Sequence, residues 1–125
     1  MDIEQLGNRI IGSAIEVHKT IGPGLLESIY ERCLMEELKL QGIKCRQQVL
    51  IPLYYKEINL ESAYAMDLVV DDEIVLELKT VEALNNLHVA QLLTYLRLSN
   101  LRVGYLINFN SYLLKNGIRR IENNL

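Results

Sequence analysis

The sequence predicts an α/β fold, a central mixed sheet of about four strands flanked by helices. Three observations carry that expectation. Two stretches in the first third of the chain space their apolar residues by three and four, the period of an amphipathic helix. Several later stretches are rich in β-branched and apolar residues and alternate as strands do. One more helical stretch separates the last strand from the others, so that strand can return beside them through a crossover.

In order, residues 2–20 open the chain, with Ile3, Leu6, Ile10, Ala14, Val17 and Ile21 forming the first apolar stripe. Asp2 and Gln5 have the spacing of an N-cap with a capping box. Gly22-Pro23-Gly24 interrupts the helix, and a second one runs from about Leu25 to Leu40, stopping at Gly42. On that helix Glu27 shares a face with Tyr30, Leu34 and Leu38. The plainer account is a first-turn acid that complements the helix dipole. A position on the core-facing side beside an aromatic is justified if it looks into a polar cleft.

Gln47 to Tyr55 reads as a strand with Val49, Ile51, Leu53 and Tyr55 on one side; Pro52 makes it an edge strand or one with a bulge. Lys56 to Asn59 reads as a polar turn. Strands over Ala63–Val70 and Ile74–Lys79 follow, then a helix from about Leu84 to Asn100 and a strand from Arg102 to Phe109. In the tail, Asn116-Gly117 is a hairpin dipeptide, set between Tyr112-Leu113-Leu114 and Ile118-Arg119-Arg120-Ile121.

With 125 residues, half of them hydrophobic, and no internal repeat or linker, the expectation is a single domain over residues 1–125 that needs no disulfide or structural metal. Two cysteines, Cys33 and Cys45, favour reduced thiols and a cytoplasmic setting. The acidic N-terminus lacks the pattern of a signal peptide, and no apolar run approaches membrane-spanning length. The net charge of −3 gives no support to nucleic-acid binding through bulk charge, though a bound cation would supply its own.

The chemistry concentrates in Asp67 and in Glu77-Leu78-Lys79, charges set into otherwise apolar strands. Alternation puts Glu77 and Lys79 on one face together with Val75. A three-residue loop over 71–73 pairs Val70 with Ile74, which places Asp67 opposite Glu77 and Ala65 opposite Lys79. A two-residue loop would send Glu77 to the other face. The longer loop keeps the charges together, and aspartate tolerates the left-handed turn conformation it needs. Carboxylates this close repel unless a cation or a proton lies between them. Two carboxylates and an ammonium on one strand pair are the minimum set for metal-assisted phosphodiester hydrolysis. Read only as structure, the same three residues make a buried ion-pair cluster.

The order helix, D…ExK strands, crossover helix with a glutamine resembles the PD-(D/E)XK nuclease superfamily. Within it the chain is similar to the GxxExxY family, through Gly24-Leu25-Leu26-Glu27-Ser28-Ile29-Tyr30. Asp67-Leu68-Val69-Val70, Glu77-Leu78-Lys79, the segment from His88 to Leu96 and the segment from Val103 to Phe109 continue the likeness along nearly the whole chain. Met66 stands where the superfamily label has proline, and Ala65 where many relatives carry a basic or polar residue.

The resemblance implies a restriction-endonuclease-like three-layer sandwich and a nuclease acting on DNA, more than RNA. Asp67 and Glu77 would ligate Mg²⁺ or Mn²⁺, with the Leu78 carbonyl and Glu27 as further ligands. Lys79 would activate water or stabilise charge on the phosphate, and Gln91 would reach in from the crossover helix. Tyr30 and Tyr95 are expected to pack around the site with their hydroxyls on Glu27 or Gln91. A lone histidine on a helix is ordinarily structural, which is the reading for His88, with a substrate contact as the alternative from its spacing to Gln91. His18 receives no role, and Arg119 and Arg120 read as a solvated tail hairpin, with nucleic-acid contact as the alternative. Two further readings stand beside the enzyme: a non-catalytic nucleic-acid- or protein-binding module on the same fold, and a homodimer through an edge strand or the tail.

Overall fold

The computed structural model describes residues 1–124. Helix α1 (Ile3–Ile21) starts at the expected cap: the Asp2 carboxylate accepts the Gln5 N–H at 2.8 Å, and the Gln5 side chain accepts the Asp2 N–H at 2.9 Å. Helix α2 (Glu27–Leu40) follows the Gly22–Leu26 turn. The sheet strands are β1 (Cys45–Leu50), β4 (Ala65–Val70), β5 (Ile74–Lys79), β6 (Val103–Asn108) and β7 (Ile118–Glu122), in the order β1-β4-β5-β6-β7. Helix α3 (Asn86–Ser99) carries the chain from β5 to β6, which run parallel; the other neighbours are antiparallel.

Two apolar clusters define three layers. Leu6, Ile10, Ala14 and Val17 of α1 and Tyr30, Leu34 and Leu38 of α2 pack on Leu68, Leu76, Tyr105 and Ile107. Leu92, Tyr95 and Leu96 of α3 pack on Val69, Val75 and Leu106 of the other face. No helix among the described residues is long and apolar enough to cross a membrane.

The sheet gains a fifth strand that the tail pattern misassigns. Ile118–Glu122 does not fold back on residues 112–114; it pairs with β6, Gly104 opposite Ile121 and Leu106 opposite Arg119. Residues Leu114–Gly117 form a 3₁₀ turn instead of a hairpin tip. Gly117 is there for space: a Cβ would collide with Ser111 Oγ and stand 2.8 Å from the Asn108 carbonyl oxygen.

The Gln47–Tyr55 strand is also shorter than its alternation implies. β1 is an edge strand, but it ends at Leu50, so Pro52 lies beyond the ladder. Beyond Pro52, β2 (Tyr54–Tyr55) and β3 (Ile58–Asn59) pair as a small separate hairpin, so Ile58 and Asn59 are strand and not turn.

β1 and β4 exchange faces at one pair. Leu68 and Val70 lie in the α1/α2 cluster, whereas Met66, which strict alternation would place with them, lies in the α3 cluster. Gln48, opposite Asp67 in the register, adopts a left-handed backbone (φ 50°), and Val49 beyond it also joins the α3 cluster. A left-handed non-glycine residue is costly enough to mark a constrained place in a fold.

Candidate active site

Strands β4 and β5 pair through Val70–Ile74, Val69–Val75 and Leu68–Leu76. This is the register of the three-residue loop, with Asp71 and Asp72 both left-handed (φ 52° and 54°). Asp67 and Glu77 come next, and there the side chains replace the backbone ladder. Glu77 Oε2 accepts the Asp67 N–H at 2.8 Å, and Asp67 Oδ2 accepts the Leu78 N–H at 2.9 Å. Each carboxylate therefore spends one oxygen on satisfying backbone that would otherwise be orphaned.

The electrostatics of the pair are unfavourable without a cation. Burial pushes the Glu77 carboxyl up to about 8, helped by the charges of Asp67 and Glu27 and opposed by the Asp67 N–H and Lys79. Asp67 is also raised, again by burial, against the Leu78 N–H, the Gln48 amide and Lys79. Lys79 is half-buried beside them but makes no salt bridge among the described residues. A closed ion-pair cluster would have used it.

Two residues reach the site that the sequence reading passed over. Glu31 of α2 is only 5% exposed, and both its oxygens accept from Gln48 Nε2, at 3.0 and 3.2 Å. The same amide lies 3.4 Å from Asp67 Oδ1. Glu31 stands four residues after Glu27 and three before Leu34, so a charge on the apolar stripe was there to be found. Gln48 had no such signal, since the residue stays exposed and only its backbone conformation brings its amide to Glu31.

Glu27 arrives from α2, where Oε2 accepts the Thr80 N–H at 3.2 Å just past β5. The spacing of glycine, glutamate and tyrosine around it has a mechanical reason. Gly24 takes φ 94°, and its N–H meets Asn110 Oδ1 at 3.3 Å. The Tyr30 hydroxyl donates to the Gly22 carbonyl at 2.6 Å and accepts the Leu25 N–H at 3.2 Å. Its ring stacks on Phe109, centroids 4.3 Å apart. Tyr30 thus clamps the turn that launches α2, and its hydroxyl does not bond Glu27 as expected.

Asn108, buried at the end of β6, fixes the other side. It accepts the Val81 N–H at 3.1 Å and donates to the Val81 carbonyl at 2.9 Å, while Phe109 N–H meets the Lys79 carbonyl at 2.9 Å. The segment after Lys79 is held at both ends.

Gln91 is half-buried on α3 and lines a cavity with Tyr95, without a hydrogen bond to either carboxylate. Tyr95 is held near the pair: burial first, then the charges of Glu77, Tyr64 and Asp67, push its hydroxyl up to about 12. No hydrogen bond joins it to Gln91. His88 is structural, Nδ1 accepting the Asn85 N–H at 3.2 Å in the cap of α3. Arg120 pairs with Glu4 and Glu122 at the surface, and Arg119 is exposed. Among the described residues no three His, Cys, Asp or Glu side chains gather closely enough to hold a metal, so Glu27 does not complete a three-carboxylate cage.

The fold is the restriction-endonuclease-like sandwich, and residues 4–121 match the family described as the PD-(D/E)XK nuclease superfamily. The chain belongs to that superfamily, whose members in general act on nucleic acids with divalent metals. Neither the curated proteins nor the solved structures contain a match to it.

Proposed function

We propose that this chain is a divalent-metal-dependent nuclease of the GxxExxY kind, hydrolysing phosphodiester bonds of DNA in preference to RNA as one domain in the cytoplasm. The observation that carries the reading is the Asp67–Glu77 pair, half-buried and buried, with Lys79 beside it making no salt bridge among the described residues. The donors suit a hard cation such as Mg²⁺ or Mn²⁺, which is content with one or two carboxylates and water. Asp67 Oδ1 and Glu77 Oε1 are the oxygens not committed to backbone N–H groups. The Leu78 carbonyl lies on the strand edge that its N–H shares, and Glu27 stands at the rim for a water-mediated contact.

When bound, a divalent ion would polarise the phosphoryl oxygen and lower the pKa of a water. Lys79 would orient the attacking water and offset negative charge developing on the phosphate. Gln91, from α3, would support the substrate from the side. Glu31 and Gln48 would hold Asp67 in place.

The test is a cleavage panel of single- and double-stranded DNA and RNA with Mg²⁺, Mn²⁺ or EDTA. Hydrolysis should need metal and vanish in Asp67→Asn, Glu77→Gln and Lys79→Ala. Cleavage unchanged in those variants sinks the proposal. Nucleic-acid binding without any metal binding by calorimetry would instead support a non-catalytic module. Light scattering would score a homodimer through the β1 or β7 edge.

A further inference from the structure

One cavity, of about 350 Å³, lies between α3 and the chain flanking β2 and β3. That is within the size range of small-ligand sites. Leu87, Gln91, Thr94 and Tyr95 line it from one side of α3, with Leu53 and Tyr64 opposite, and no charged residue contributes. Tyr64 is 51% exposed at the mouth, its ring 6.2 Å from that of Tyr95 and tilted by 49°. Leu87 is 76% exposed on the same rim. The wall is apolar and aromatic, with the Gln91 amide, the Thr94 hydroxyl and the two tyrosine hydroxyls as its polar groups.

The cavity neighbours the carboxylate pair. Glu77 projects, like Val75 two residues before it, to the sheet face that α3 covers. Tyr95 belongs to the cluster that includes Val75 and Met66, and Met66 immediately precedes Asp67. The upward push on the Tyr95 hydroxyl from Glu77 and Asp67 agrees with that proximity.

The chemistry of the lining selects the occupant. The wall offers no cation to a phosphate, whereas aromatic rings accept any base face and the Gln91 amide and Thr94 hydroxyl can meet a base edge. A base within a duplex is stacked and out of reach of such a cavity. A protein of net charge −3 also gains little from the dense phosphates of a duplex. We propose that this cavity receives an unpaired base of the strand being cut, beside the scissile phosphate, so that the substrate class is single-stranded or locally unpaired nucleic acid. Tyr64 supplies the stacking surface. Gln91 and Thr94 face the base edge. The inference rests on the nuclease reading and specifies its substrate.

The experiment separates the two. Glu77→Gln protein is titrated into a single strand carrying 2-aminopurine and into the same strand in a duplex, which scores binding without hydrolysis. Wild-type cleavage against Glu77→Gln scores the nuclease reading on its own. The expected result is fluorescence quenching with the single strand, at least about tenfold weaker binding after adding Tyr64→Ala, and near-normal binding with Tyr64→Phe. An abasic nucleotide walked along the strand should weaken wild-type cleavage at one position relative to the cut. Equal binding of strand and duplex with indifference to Tyr64→Ala would overturn the inference, even if Glu77-dependent cleavage is intact. So would self-association that Tyr64→Ala abolishes, which assigns the cavity to a second copy of the chain. Because Tyr64 is exposed, a folded variant is expected, and circular dichroism verifies it.

Discussion

Asp67 and Glu77 each accept a backbone N–H from the other's strand: Glu77 Oε2 takes that of Asp67 at 2.8 Å, and Asp67 Oδ2 takes that of Leu78 at 2.9 Å. The exchange ties a buried and a half-buried carboxyl together at the point where β4 and β5 stop pairing. It has a consequence for stability. The Glu77 carboxyl sits at about 8 in the folded protein, chiefly through burial, against about 4.3 in an unfolded chain. Between those values the folded state holds the proton and the unfolded state has lost it, so stability falls as pH rises. In EDTA, wild-type protein is expected to melt lower at pH 8 than at pH 5.5. Glu77→Gln keeps an acceptor for the Asp67 N–H without the charge, and should melt at least about 3 °C above wild type at pH 8. Mg²⁺ should raise the wild-type midpoint most at pH 8 and the variant's little. Thermal melts at the two pH values, with and without metal, check all three outcomes.

Lys79 separates a functional cluster from a structural one. Its charge opposes the rise of both carboxyls, yet it forms no salt bridge among the described residues. Lys79→Met should therefore cost less than about 1 kcal/mol in urea unfolding, within the range of an unpaired, partly exposed charge. Cleavage should fall by about 100-fold or more, the usual loss when a group that stabilises transition-state charge is removed. A large stability loss with activity in proportion to the folded fraction would return Lys79 to an ion-pair role.

The register that joins Asp67 to Glu77 was legible because a loop of three residues permits only one face for both. The helices were legible because Ile3, Leu6, Ile10 and their successors keep a regular stripe. Two kinds of feature were not. Alternation assumes that a strand keeps its faces, and it fails at Gln48, whose left-handed backbone turns Val49 across the sheet. Turn dipeptides name a bend but not a partner, so Asn116-Gly117 looked like a hairpin although β7 finds β6. Hydroxyl partners were beyond reach as well. Spacing puts Tyr30 at the site, but only the folded Gly22–Leu26 turn shows what its hydroxyl holds.

Tyr30→Phe tests that clamp. The ring can keep its stack on Phe109, so the change removes the two hydrogen bonds and little else. Leaving part-buried backbone groups unpaired should cost about 1–3 kcal/mol in chemical unfolding. Since the turn also sets where Glu27 begins α2, cleavage by the folded variant should fall about tenfold. Glu27→Gln in the same background should then add less than it does alone, a non-additivity expected of residues acting through one element. Fully additive effects would mean that the clamp and Glu27 serve separate purposes.

Glu31 and Gln48 make the last prediction, because their bond joins α2 to the edge of the sheet. Gln48→Ala leaves Glu31 buried without its donor and keeps a side chain at φ 50°, so the backbone strain stays while the compensation goes. The expected loss is about 2 kcal/mol or more. Gln48→Gly removes the same amide but relaxes the strain, and should be the milder of the two by about 0.5–1 kcal/mol despite glycine's entropy in a strand. Glu31 leaves a second mark on Cys45, whose thiol is pushed up to about 11 by burial and then by the Glu31 charge. Cys45 should resist alkylation at pH 8, since so little thiolate is present. Glu31→Gln should speed that reaction while Cys33, on the other side of α2's stripe, keeps its rate. Mass spectrometry of the two cysteine peptides over time reads both rates, and an unchanged Cys45 rate would remove Glu31's charge from the account.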